Sequence, residues 1–215
     1  MSTETDVLIL AQWLSPGFPV GAFAYSHGLE QAIHDGAVTD ATTLRAWLTD
    51  ILAAGSARAD AVLLAAAQAA TTPARVAEID ALARAFAASA ERLRESAQAG
   101  AAFAATVRAV WGLDFSDLLY PVAVGRAAGL RGLDAQLTAA LYLQSFAANL
   151  TSAAVRAIPL GQTEGQSVIA ALAPLCAATA AEAQDTDLQG LWSNGFASDV
   201  AQMRHETLQP RLFQS

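Results

Sequence analysis

Apolar residues recur along this chain at spacings of three and four, and seldom in alternation. Leu44, Trp47, Leu48, Ile51 and Leu52 follow i, i+3, i+4, i+7 and i+8, one face of a 3.6-residue helix, with Asp40 placed to cap its start and Gly55 to weaken or end it. Alternating β-branched runs are hard to find, and Gly and Pro fall mainly between the helical stretches, so the pattern predicts an all-α fold. A first helix is expected over residues 6–14, stopped by Ser15 and Pro16, and a second over 22–35, closed by Gly36, with a compact Pro/Gly loop over 15–21. Thr72 and Pro73 form an N-cap and N1 pair opening a helix to about residue 88; residues 91–111 read as helix up to Gly112, and Pro121 can start another. Asp134 caps a long helix that runs to Ile158, and Thr163 is placed to cap one containing Val168, Ile169, Leu172 and Leu175, which Pro174 should bend or break. A last amphipathic piece covers residues 198–203. Residues 204–215 have no periodicity and mix charges with Leu208, Leu212 and Phe213, a tail that needs something to pack against. The architecture that follows is a single helical bundle-like domain of about eight to ten helices with short loops over residues 1–203, and a C-terminal tail over 204–215.

The composition narrows the function classes. An apolar fraction of 54% looks membrane-like, but alanine dominates it, and alanine removes little apolar area from water. The segment between Asp134 and Arg156 holds no charge over a bilayer-spanning length. It also carries Gln136, Thr138, Gln144, Ser145, Asn149, Thr151 and Ser152, each of which would need a partner in hydrocarbon, so a buried or interface helix is the better account and no membrane is expected. All twelve basic residues are arginine and the net charge is −8, which argues against nucleic acid, since phosphate backbones are bound by basic patches. Cys176 is the only cysteine, so no intrachain disulfide can form, and the polar, acidic start lacks the features of a signal peptide; a cytoplasmic location is expected.

Candidate chemistry is sparse. His27, Glu30 and His34 lie at i, i+3 and i+7 of the second expected helix and would share one face, where imidazole and carboxylate suit a divalent transition ion. The plainer reading is a solvated or partner-facing stripe, because two turns of one helix rarely supply a whole ligand set. His205-Glu206 begins like a zinc-protease motif, but Gln209 stands where the second histidine would be. The glycine-bearing turn from Gly161 to Gln166 lacks the Gly-Lys-Ser/Thr ending of a phosphate loop, and Cys176 sits among apolar neighbours as an inert thiol would. No cofactor and no catalytic residue is implied, so an enzyme is the weaker class.

Four segments carry a resemblance. Leu14-Ser-Pro-Gly-Phe-Pro-Val-Gly-Ala-Phe-Ala-Tyr-Ser-His-Gly-Leu-Glu30 closely resembles the opening signature of the UreF family of urease accessory proteins. Glu91-Arg-Leu-Arg-Glu-Ser96, the stretch from Ala154 to Gln166, and the ending with Met203-Arg-His-Glu-Thr207 and Arg211-Leu-Phe213 agree with it in order. The ending departs from the family pattern at Leu208-Gln-Pro210 and at Gln214, where a tyrosine and an arginine usually stand. The resemblance implies a non-catalytic, commonly homodimeric scaffold for nickel insertion into apo-urease. It would assemble with a UreD/UreH-type accessory protein and the UreG-type GTPase, whose turnover it could gate. It also points to a partner-binding tail carrying Arg204, His205, Glu206, Thr207, Arg211, Leu212 and Phe213, loosely ordered until a partner binds. His27 and Glu30 would be the first place to look for a nickel path. The alternative from another class is a helical protein-binding module unrelated to urease.

Overall fold

A computed structural model describes residues 3–215. Its described residues contain ten α-helices and no strand. They are α1 (Glu4–Trp13), α2 (Leu29–His34), α3 (Ala41–Ala54), α4 (Ser56–Ala69), α5 (Pro73–Ala85), α6 (Ala90–Trp111), α7 (Tyr120–Arg131), α8 (Ala135–Ala157), α9 (Gln162–Asp185) and α10 (Phe196–His205), with short 3-10 turns at Ala22–Ala24 and Leu188–Gly190.

Local chemistry sets most of the helix starts. The Asp40 carboxylate accepts from Thr43 N–H at 2.8 Å, and the hydroxyl of Thr43 returns the favour to the Asp40 amide, a reciprocal cap on α3. Thr72, Ser89 and Asp134 cap α5, α6 and α8 without the return bond, each side chain accepting from the amide three residues on. The sequence placed the cap of α9 at Thr163; it lies two residues earlier, where the Glu164 carboxylate accepts from Gly161 N–H at 2.9 Å. Nor does Pro174 break α9. The carbonyl its missing N–H would have met, that of Ala170, lies on the exposed side of the helix, where water can take its place.

The core runs between α3, α4, α7, α8 and α9. Its large members include Trp13, Phe103, Leu44, Leu48, Leu64 and Leu143, all shut off from solvent. Trp13 meets Phe103 and Trp111 edge-on at 5.5 and 5.6 Å, and Phe18 of the Pro/Gly loop joins Phe103 at 5.5 Å, which locks that loop to the body. The α4/α7 and α6/α7 contacts depend on missing side chains. A Cβ on Gly125 would stand 2.2 Å from the Leu64 carbonyl oxygen, and one on Gly100 2.0 Å from that of Leu118. Among the described residues α9 is the helix long and apolar enough to cross a bilayer; its Val168, Leu172, Cys176, Ala180 and Ala183 are buried in the core, and its opposite face is exposed.

One large expectation fails. Residues 22–35 are not a single helix: the 3-10 turn ends at Ala24, Tyr25 is extended, and His27 and Gly28 both have positive φ (59° and 75°) before α2 begins. The chain is therefore interrupted inside the segment that resembles the opening signature.

Candidate functional site

The interruption and the C-terminal tail meet, and what they build is a buried polar cluster. Glu30, in the first turn of α2, accepts main-chain hydrogen bonds from Leu212 (2.6 Å) and Phe213 (3.0 Å) of the tail. Its Oε2 also lies 3.0 Å from His205 Nε2, while Glu91 of α6 puts Oε2 2.7 Å from His205 Nδ1. His205 is 0% exposed. A carboxylate oxygen faces each ring nitrogen, so its fully bonded form is the one in which both nitrogens donate. Arg211 donates to the other oxygen of Glu91 at 2.6 Å, so the two glutamates hold the tail by charge-assisted bonds.

A second cluster lies beside the first. His27 Nδ1 is 3.1 Å from Glu95 Oε1, its Nε2 is 3.4 Å from the Ser56 hydroxyl, and the ring stands edge-on to Phe146 at 4.7 Å. The other oxygen of Glu95 accepts from the Ser215 hydroxyl at 2.8 Å. Burial alone would raise the Glu95 carboxyl. The facing His27, Arg92 at 3.6 Å and the Ser215 hydroxyl outweigh it and hold the carboxyl down at about 2. Arg92 continues to Asp60 at 2.6 Å, and the Tyr142 hydroxyl donates to the same Asp60 oxygen at 2.8 Å. Burial, with Asp60 beside it, pushes the Tyr142 phenol well up. The second cluster borders, through Arg92 and Glu95, an open cavity of about 300 Å³ that is also walled by Phe18, Tyr25, Phe146 and Ile169 among others.

The structure relocates the residues singled out in the sequence. His27 precedes α2, so His27, Glu30 and His34 do not share a helix face; His27 is 2% exposed and Glu30 buried, while His34 is exposed. Neither His27 nor Glu30 lies on the exposed face expected for them. The tail is not loose. Phe213 is 4% exposed, with the Arg156 guanidinium 4.6 Å above its ring. Arg204 pairs with Asp35 at 2.9 Å, Glu206 accepts from Ala90 N–H at the start of α6, and the Thr207 hydroxyl bonds only the nearby Arg204 carbonyl. Of the tail's large apolar side chains it is Leu212 that points away, at 76% exposure.

Glu91, Arg92, Glu95 and Asp60 were not named as site residues. Their signal was available: Glu91, Arg92 and Glu95 recur in successive turns of one helix within the segment from Glu91 to Ser96, and ionic side chains on an inward face ask for partners. Among the described residues no three His, Cys, Asp or Glu side chains are arranged to hold a metal ion. Cys176 is buried, and burial pushes its thiol up to about 11, so it is no nucleophile at neutral pH.

Fold and site together define an all-helical protein in which a buried polar cluster around Glu30, Glu91 and Glu95 holds its own C-terminal segment. Comparison with known proteins takes this further. The UreF family model matches residues 38–173. The urease accessory protein UreF of Roseobacter denitrificans is 54% identical over 215 residues, which is 100% of this chain and 96% of that protein. Proteins of the same name from Cereibacter sphaeroides (53% over 209 residues, 97% and 98% covered) and Ruegeria pomeroyi (47% over 213 residues, 99% and 98%) are similarly close. The chain belongs to the UreF family of urease accessory proteins, which displaces the reading as a helical module unrelated to urease.

Proposed function

We propose that this protein acts in urease maturation as a non-catalytic, cytoplasmic scaffold for nickel insertion into apo-urease. It assembles with a UreD/UreH-type accessory protein and through it with the UreG-type GTPase, and it influences GTP turnover without hydrolysing the nucleotide itself. The reading is carried by the full-length similarity to proteins named urease accessory protein UreF. The geometry supports it in kind. The ionic side chains of the interior are paired with one another or with the tail, and apolar side chains stand out where the chain ends: Phe196 and Met203, one and the same face of α10 at i and i+7, and Leu212 beyond them. Such a surface suits a protein partner, and homodimer formation belongs to the same proposal. His27 and Glu30 serve it as supports of the tail; as a nickel path they would act only when the tail has moved.

The test is co-expression of the full chain with the UreD/UreH-type protein, the GTPase and the urease subunits. We expect a complex that co-purifies, and urease activity in cells that is lost when this chain is omitted. Normal activation without it at limiting nickel would overturn the proposal.

A further inference from the structure

Residues 22–35 have the sequence pattern of one helix and the structure of two pieces. An uninterrupted helix would take Ser26 N–H to the Ala22 carbonyl and Gly28 N–H to the Ala24 carbonyl. Here both main-chain groups go to the tail. Ser26 N–H donates to the Ser215 main-chain oxygen at 2.7 Å, joined there by the Ser26 hydroxyl, and the Ala24 carbonyl accepts from Gln214 N–H at 2.7 Å. Glu30 binds the Leu212 and Phe213 amides one turn further on. The tail thus supplies what the missing helical turn would have supplied, and a segment in this position must have its buried N–H and C=O groups satisfied one way or the other.

The interrupted form has a cost within the segment. His27 sits at φ 59°, a left-handed conformation uncommon for a residue with a side chain, held by Glu95 and Ser56. Gly28 at φ 75° tolerates its turn freely, and it also lets α10 approach, since a Cβ there would lie 2.7 Å from Gln202 N. The uninterrupted form has an opposite cost, a glycine in the interior of a helix. Two arrangements that satisfy the same groups and carry comparable penalties are the ingredients of a bistable element.

We propose that residues 22–35 form a two-state element: broken at Tyr25–Gly28 while the tail is docked through Phe213 and Glu30, and a continuous helix when the tail is displaced. In the helical state His27, Glu30 and His34 align on one face. Ala22, Phe23 and Tyr25, which wall the 300 Å³ cavity, turn with them. The switch belongs to this chain alone, goes beyond the accessory role, and is tested without any partner.

Full-length chains carrying Phe213→Pro, which removes both the ring and the N–H given to Glu30, or the milder Phe213→Ala, are compared with the parent by nuclear magnetic resonance. Gln214 amide exchange reports whether the tail is docked; the Cα shifts and sequential contacts of Ala24, His27 and Gly28 report the turn. We expect Gln214 exchange to accelerate by about tenfold or more, with His27 and Gly28 moving from left-handed to helical values, most completely in the proline variant. The reciprocal variant Gly28→Ala, which disfavours the turn and favours helix, should speed Gln214 exchange in the same way. Release of the tail with His27 still at positive φ, or with residues 24–28 random, overturns the proposal. So does a tail that stays protected in all three variants.

Discussion

Glu30 holds two tail amides and one ring nitrogen of His205, and none of these meets a second acceptor among the described residues. Removing the carboxylate leaves a buried imidazole nitrogen and two amides short of partners. Hydrogen bonds to a buried charge are worth about 1.5–3 kcal/mol each, and breaking such a cluster costs roughly 3 kcal/mol net. Glu30→Ala is therefore expected to lower the melting temperature by roughly 6–12 °C for a domain of this size. A calorimetric scan unchanged from the parent would contradict the assignment. This differs from what a solvated or partner-facing stripe, the plainer reading of His27 and Glu30 in the sequence, would show, since an exposed polar pair on a helix contributes only roughly a few tenths of a kcal/mol. At the same scale Glu95 sets a pH dependence. Its folded carboxyl is held at about 2 against an ordinary 4.5, so its contribution is present above about 4.5 and is lost as pH falls through 2. The stability gap between the parent and Glu95→Gln, measured by urea melts, should reach roughly 3 kcal/mol at pH 6 and narrow steadily between pH 4.5 and 2. A gap that is flat across that window would show that the carboxylate is not what His27 and Ser215 hold.

At the scale of elements, α7 packs on α4 through Gly125, whose added Cβ would meet the Leu64 carbonyl oxygen, a main-chain atom that cannot swing aside. In an exposed helix interior Gly→Ala gains up to about 1 kcal/mol. Here the sign should invert, and Gly125→Ala should destabilise by about 1–3 kcal/mol through overpacking, read from the midpoint of a denaturant melt at unchanged slope. The helices themselves were largely legible because their signals are local. Asp40, Thr72 and Asp134 sit three residues from the amides they cap, and Leu44 to Leu52 trace a buried stripe. The site was not legible for the opposite reason. Ser26 finds its partner 189 positions away at Ser215, Glu30 its partners 175 to 183 away, and Arg92 its partner Asp60 32 away on another helix. A period of 3.6 residues cannot report a bond whose donor lies at the far end of the chain. Residues 22–35 are not the single helix their pattern predicts; the segment breaks at Tyr25–Gly28, where its main-chain groups bond the tail. Pro174 does not break α9, because solvent can replace the bond it lacks.

For the whole molecule, the tail carries two contributions that a truncation would confound. Phe213 points inward beneath Arg156 and, with Glu30, His205 and Arg211, holds the chain end to the body; Leu212, its neighbour, points outward at 76% exposure. Deleting the segment after Met203 would take away both, and with His205 it would leave Glu30 and Glu91 buried without their partners, so the melting temperature should fall markedly rather than stay level. A single substitution separates the two. Leu212→Asp keeps the main-chain N–H that Glu30 accepts and alters only a solvent-facing side chain, where substitutions usually change stability by less than about 0.5 kcal/mol. On the acidic surface of a chain of net charge −8 it adds one more negative charge at the place where an apolar contact with a partner is proposed. The variant is expected to melt with the parent and to capture the UreD/UreH-type protein about tenfold less well, the equivalent of about 1.4 kcal/mol. Equal capture by the two chains in a titrated pull-down would place the docking surface elsewhere, with the outer face of α10 at Phe196 and Met203 as the next surface to alter. A variant that melts early would instead show that Leu212 supports the docked tail, and that its exposure does not reflect a free side chain.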